Sequence, residues 1–330
     1  MKIEWAPIKM PPRRRLQTLA TGLYVYIVLF LPFMSMFLTI FFLLYLSFMG
    51  RAILLLYLSF IYYDHKKHFS NIYGNGWLPL RNNFLTKHMR DYFPIELVKT
   101  AELKPNRNYI LACFPHGVIG PKIATLDVHF YIPFLREILR FWGLISCSKE
   151  SLIYYLTKSN DPEHSDNKDG FTSNAVALLV GGAQESLDSH PRHYVLTIKS
   201  RQGFVKVAIR TGSAIVPSFS FGEVDIYDQV NNSSDSRLRR FQLFVKELTG
   251  VSPLIVIGRG FFQYNFGFIP QRHQIVQVVG SPIEVKQTYD PDPQYVNEIH
   301  QKVIQALEEM FEKHKHKYIE NANNVNLVIN

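Results

Sequence analysis

Charge is what the first fifth of this chain lacks. From Leu16 to Tyr63 the sequence runs 48 residues with a single formally charged side chain, Arg51. That is far more apolar sequence than the core helix of a soluble protein requires. Phe30, Phe33, Phe37, Phe41 and Phe42 fall on every face of a helix drawn through it, which argues against a helical hairpin buried in a water-soluble core. Cysteine is scarce as well: Cys113 and Cys147 are the only two among 330 residues. No disulfide framework can be built from them, and the reducing cytosol suits the chain. Cys113 stands inside an apolar run and reads as a small hydrophobe. No serine has glycine two residues before and two after it, so the nucleophile-elbow type of hydrolase has no anchor. Walker and dinucleotide fingerprints are missing. So are zinc-finger spacings and aromatic-basic repeats, which leaves nothing to favour nucleic acid as a partner.

What is present begins with the apolar stretch itself. A membrane span takes roughly 20 apolar residues, so the segment holds two spans or one hairpin. Pro32 and the Gly50-Arg51 pair are the expected turn points. A turn at Gly50-Arg51 leaves only residues 52–63 for the return leg, too few for an upright crossing, which favours a hairpin. Lys9, Arg13, Arg14 and Arg15 precede the segment, while Lys66 and Lys67 follow it. The positive-inside rule then puts both ends, and the large polar remainder, in the cytosol. A cleaved signal peptide is disfavoured by the length of the run and the lack of a small-residue cleavage site. The chain divides into a basic segment 1–15, a membrane hairpin 16–63 and a domain 64–330. Its formal net charge of +9 suits a protein lying on anionic lipid and handling anionic ligands.

Short apolar runs at Tyr109–Cys113, Ala175–Val180, Ala214–Phe221, Leu254–Ile257 and Ile275–Val279 end in glycine, proline or polar turns and predict strands. Helices are predicted over Pro133–Trp142, Gly203–Thr211 and Ser236–Leu248. A long amphipathic helix is predicted to begin at Asp292-Pro293, with Val296, Ile299, Val303, Leu307, Met310 and Phe311 on one face. The alternation indicates an α/β fold with a mostly parallel sheet and a ligand crevice at the carboxyl ends of its strands. Residues 64–83, 159–173 and the tail after Ile319 read as the least structured.

Three strand ends are predicted to deliver polar groups to that crevice. The first is Phe114-Pro115-His116-Gly117, where Pro115 fixes φ on one side of the imidazole and Gly117 lets a ligand approach on the other. A histidine held this way is a candidate general base. The second is Gly181-Gly182-Ala183-Gln184-Glu185-Ser186, which offers bare backbone N–H groups for an oxyanion and a carboxylate to accept the other imidazole N–H. Glu185 is equally readable as a helix N-terminal carboxylate interacting with the dipole. The third, Phe221-Gly222-Glu223, reads as structural. Gly258-Arg259-Gly260 is a weaker candidate for binding an anion.

Taken in order, these residues resemble the type 2 diacylglycerol acyltransferase family, which includes monoacylglycerol and acyl-CoA wax alcohol acyltransferases. The resemblance rests on Arg90-Asp91-Tyr92-Phe93-Pro94, Pro115-His116-Gly117, Ser148-Lys149-Glu150-Ser151 and residues 180–187. It continues through Arg201-Gln202-Gly203-Phe204-Val205-Lys206 with Ala208, Val216-Pro217, Ser220-Phe221-Gly222-Glu223 and Gly258-Arg259-Gly260. One departure is Phe114, where the family commonly has histidine or tyrosine; it leaves His116 the sole imidazole of the motif.

The resemblance implies a membrane-embedded helical hairpin followed by a mixed α/β domain of the glycerolipid-acyltransferase type. It implies an enzyme of the endoplasmic reticulum membrane and the lipid-droplet surface that moves a fatty acyl group from acyl-CoA to a neutral-lipid hydroxyl. Diacylglycerol ranks first as acceptor, with monoacylglycerol or a wax alcohol as alternatives. A membrane esterase and an inactive lipid-binding scaffold are further alternatives. His116 is then the general base and Glu185 its orienting partner. The H-x-x-x-x-D spacing of glycerol-phosphate acyltransferases is broken by Pro121, so the carboxylate must come from elsewhere. Substrate contacts fall to Pro115, Gly117, Gly181, Gly182, Gly203 and Phe204, and the acyl-CoA phosphates to Arg201, Lys206, Arg210 and Arg259. Acyl-CoA is a substrate, so neither a cofactor nor a metal is implied. Membrane lipid is a partner, and a homo-oligomer is compatible with the family.

Overall fold

A computed structural model describes residues 3–68, 83–116, 123–125, 127–157, 173–249 and 252–330. The chain opens with α1 (Pro12–Tyr45) and α2 (Phe48–His68), followed by α3 (Phe84–Tyr92), β1 (Glu96–Lys99), β2 (Tyr109–Phe114) and β3 (Ile123–Thr125). Then come α4 (Leu135–Trp142), β4 (Ile145–Ser146), α5 (Lys149–Thr157), β5 (Ala175–Leu179), α6 (Gly182–Asp188) and β6 (Tyr194–Leu196). The rest is α7 (Gly203–Thr211), β7 (Ala214–Phe221), β8 (Asp228–Gln229), α8 (Arg237–Thr249), β9 (Val256–Ile257), β10 (Val276–Val279), α9 (Pro293–Tyr318) and β11 (Leu327–Ile329).

Seven strands form one sheet in the order β1-β10-β7-β2-β5-β3-β4. From β7 to β4 every pairing is parallel, while β10 runs antiparallel to β7 and carries β1 parallel to itself. The mixed α/β class and the mostly parallel sheet agree with the sequence. All eight residues of β7 are buried, as a strand covered on both faces requires. On one side Phe219 and Phe221 meet Tyr194 and Phe311 with ring centroids 4.8–6.4 Å apart. The expected apolar face of α9 is the face that is buried there: Val296, Ile299, Val303, Leu307, Met310 and Phe311.

The turn between the first two helices lies at neither expected place. Pro32 is inside α1, and Gly50 and Arg51 are inside α2. The break falls at Leu46, whose backbone is extended, and Ser47. Ser47 Oγ accepts the Gly50 N–H at 3.3 Å, and Arg51 Nε donates to the Leu46 carbonyl at 2.9 Å. A hydroxyl and a guanidinium thus satisfy the groups that a helix end leaves open. α1 is long and apolar enough to cross a membrane. Its second half displays Phe33, Phe37, Leu44 and Tyr45, all more than half exposed.

The tail is a second correction. Residues 327–329 form β11, paired in parallel with β6, because an extended tail beside an open strand edge satisfies both rows of backbone groups. Most of 64–83 and 159–173, read from sequence as loosely structured, lies outside the described residues.

Candidate active site

The predicted convergence of three strand ends is present. His116 after β2, Glu185 in α6 after β5 and Glu223 after β7 line one mostly apolar cavity of about 300 Å³. Its opposite wall is α1, through Thr21, Tyr24, Val25, Val28 and Leu29. That helix is fastened by Tyr24 stacked on Trp142 at 5.6 Å and Phe30 edge-on to Phe268 at 5.4 Å. The side of α1 turned to the domain carries the buried Gln17, Thr18 and Thr21.

Phe114, the last residue of β2, is fully buried in the sheet core with Ile110 and Ala112 of the same face, and His116, past the end of the strand where the alternation no longer holds, lines the cavity. Burial holds the His116 imidazole below its ordinary pKa. The ring is therefore neutral near pH 7 and able to accept a proton.

Glu185 is 1% exposed. Its Oε2 accepts the Thr197 N–H at 3.0 Å, and the main-chain N–H of His116 also favours its charged form. Burial outweighs both and pushes the carboxyl up to about 7. Oε1 has no hydrogen-bond partner among the described residues. The expected bond from the imidazole to this carboxylate does not occur among the described hydrogen bonds; what reaches the carboxylate from this residue is the field of its main-chain N–H. The carboxylate fits because residue 181 is glycine: a Cβ there would collide with it. Gly182 has φ of 58° and faces open space, a conformation that suits glycine. Gly117 lies outside the described residues.

The basic candidates separate into groups. Gly203, Phe204, Lys206 and Arg210 of α7 line a second cavity, of about 440 Å³, together with Lys149 of α5. The Arg210 Nε is buried without a partner among the described residues. Arg201 and Arg259 line neither cavity. Arg201 is exposed just before α7, and Arg259 is buried near Tyr264. Sequence reasoning missed Lys149 as a neighbour of Lys206, the α1 wall, and His193, which also lines the first cavity. Lys149 was visible within a quoted motif; the other two depend on tertiary placement.

Comparison with known proteins adds to this geometry. The family model described as diacylglycerol acyltransferase matches residues 42–123 and 118–330. The chain is 36% identical to diacylglycerol O-acyltransferase 2 of Dictyostelium discoideum, over 95% of this chain and 96% of that one. It is 34% identical to 2-acylglycerol O-acyltransferase 1 of Homo sapiens, over 96% and 97%. It is 35% identical to acyl-CoA wax alcohol acyltransferase 1 of Mus musculus, over 72% and 76%. No solved structure matches the chain.

Proposed function

The chain belongs to the diacylglycerol acyltransferase family, and on that premise we propose that it is an acyl-CoA-dependent O-acyltransferase that converts diacylglycerol to triacylglycerol. The observation that carries this reading is the cavity. A neutral imidazole and a buried carboxylate share an apolar chamber whose far wall is the helix able to cross a membrane. An acceptor with long acyl tails and one hydroxyl needs such a chamber.

In the reaction, His116 takes the proton of the acceptor hydroxyl, and the oxygen attacks the thioester carbonyl. The C–S bond then breaks, and coenzyme A leaves with the proton returned by the imidazolium. Glu185, close behind His116 and ionised above about pH 7, stabilises that imidazolium and fixes the segment carrying it. The developing oxyanion falls to main-chain N–H groups near Gly117 or near Gly181 and Gly182. Lys206 and Arg210, joined by Lys149, hold the phosphates of the coenzyme, with Arg201 at the approach. This sequence of steps calls for no cofactor.

The helix pair acts as a membrane-embedded hairpin with both ends in the cytosol, in the endoplasmic reticulum and on lipid droplets, ahead of a domain of the glycerolipid-acyltransferase type. Two ion pairs support the hairpin. Arg13 before the apolar stretch meets Asp91 at 3.0 Å, and Asp64 at the far end of α2 meets the buried Arg136 of α4. Both ends are thereby tied to one domain.

Monoacylglycerol and wax alcohols are the competing acceptors, because relatives named for them are about as similar as the one named for diacylglycerol. Membranes carrying the protein are to be incubated with labelled acyl-CoA and, in turn, diacylglycerol, monoacylglycerol, a fatty alcohol or no acceptor. Labelled triacylglycerol as the dominant product supports the reading, and dominance of another ester reassigns the acceptor. Free fatty acid alone would make the protein an esterase, and absence of any product would leave a scaffold.

A further inference from the structure

A second group of charges lies at the start of α1, away from the two cavities. Arg14 of α1 stands one turn before Gln17, whose Oε1 accepts from Arg272 ahead of β10 at 2.7 Å, and Arg259 after β9 is bridged to Ile269 three residues before Arg272. Burial first, and then the charges of Arg14 and Arg259, hold the Arg272 pKa below its ordinary value. Not one of them forms an ion pair among the described residues. The neighbouring arginines are already occupied. Arg13 pairs with Asp91, and Arg15 donates to the carbonyls of Pro7 and Ile8.

Arg259 is the most constrained of the three. It is 6% exposed, its guanidinium lies 4.2 Å over the Tyr264 ring, and Nε donates to the Gly260 carbonyl at 3.2 Å. Its Nη2 is buried with no partner among the described residues. Arg272 is held 4.3 Å over the Tyr92 ring and by Nη1 donating to Gln17 Oε1 at 2.7 Å. The Tyr92 hydroxyl is in turn committed to the Pro270 carbonyl at 2.6 Å. Arg14 is exposed at the open side. The first turn of α1 contains no acidic residue, so the positive end of the helix dipole adds to the same field.

Three guanidinia packed together repel one another, and a buried unpartnered N–H of one of them is costly. Stacking on tyrosine faces fixes the planes of two of the forks, the preparation that suits bidentate capture of an oxyanion. We propose that Arg14, Arg259 and Arg272 form a phosphate-binding site at the membrane-facing start of α1, separate from the reaction cavity. Gln17, which holds Arg272, is one helical turn from Thr21 on the cavity wall. An anion seated here therefore fixes the end of α1 that closes the chamber. Two sources present this chemistry at the cytosolic interface: the headgroup of an anionic phospholipid and the phosphates of coenzyme A.

The test uses binding rather than turnover, so it does not depend on the acyltransferase reading. The full-length protein in an uncharged detergent is titrated with dioctanoyl phosphatidic acid, with coenzyme A, and with dioctanoylglycerol as the phosphate-free control, and thermal stabilisation is followed. Arg14→Gln leaves the packing intact because Arg14 is exposed, and Arg272→Gln removes a second fork. Each is expected to weaken one of the phosphate ligands by roughly tenfold to a hundredfold while leaving the control unchanged. Loss confined to phosphatidic acid identifies the lipid as the source, and loss confined to coenzyme A identifies the coenzyme. Unchanged affinity for both ligands in both variants overturns the site.

Discussion

Glu185 has been taken out of water and given the Thr197 N–H as donor, with the His116 main-chain N–H favouring its charge and no cation beside it among the described residues. Its carboxyl is raised from 4.5 to about 7, so its charged form is disfavoured by folding. A raised acid contributes stability below its ordinary value and loses it as pH rises through about 7. Glu185→Gln should therefore be more stable than the parent above pH 7, by on the order of 3 kcal/mol, and melting curves at pH 6 and pH 8 check this. Its rate should fall steeply without a matching loss of acyl-CoA affinity, and the rise in activity through about pH 7 should vanish. Survival of that inflection in the Gln variant would remove Glu185 from the mechanism. The His116 pKa is shifted in the opposite direction. With its pKa held below 6.5 by burial, protonation of the imidazole adds a second loss of activity at lower pH, beyond the one that Glu185 sets near 7. His116→Ala should lower the rate by about 10²- to 10⁴-fold with membrane association intact, and near-normal specific activity would refute the base. The flanking proline and glycine made His116 readable from sequence. The Thr197 contact to Glu185 was not readable, since β6 has three residues and no periodicity to announce it.

Among the elements, α1 has two duties. Its first half closes the cavity, and its second half presents aromatic side chains outward. Enlarging a wall residue should consequently act on the acceptor alone. Val28→Trp narrows a chamber of about 300 Å³ and is expected to raise the KM for diacylglycerol severalfold while the KM for acyl-CoA stays put; an equal rise in both would place α1 outside the acceptor path. The strands legible in advance were those with four or more apolar residues ending at glycine, proline or a polar turn, such as β2, β5 and β7. β3, β4 and β8 have two or three residues and exist because neighbours pair with them, so no local pattern reveals them. The break at Ser47 was hidden for a related reason. Pro32 and Gly50 are the stronger local signals, yet a helix inside an apolar segment tolerates both, and the Arg51 cap decides the place.

For the molecule as a whole, two ion pairs tie both ends of the helix pair to one domain, and the proposed hairpin places both ends in one compartment. Tags at the two termini should both be digested by protease in sealed microsomes; protection of either before detergent would contradict the hairpin. Breaking the inner tie has a predictable cost, because Arg136 is fully buried. Arg136→Ala leaves Asp64 with the longer ion pair to Arg140, at 3.7 Å, and should destabilise the protein by up to about 3 kcal/mol, measured as a lowered midpoint in a denaturant titration. The chamber wall that is also the anchor carries a final consequence. Under the proposed function, substrate and ester reach and leave the site sideways, within a sheet of lipid, without dissolving in water. Turnover is then governed by acceptor mole fraction per unit area instead of bulk concentration, and inert lipid added to the membrane becomes a dilution inhibitor.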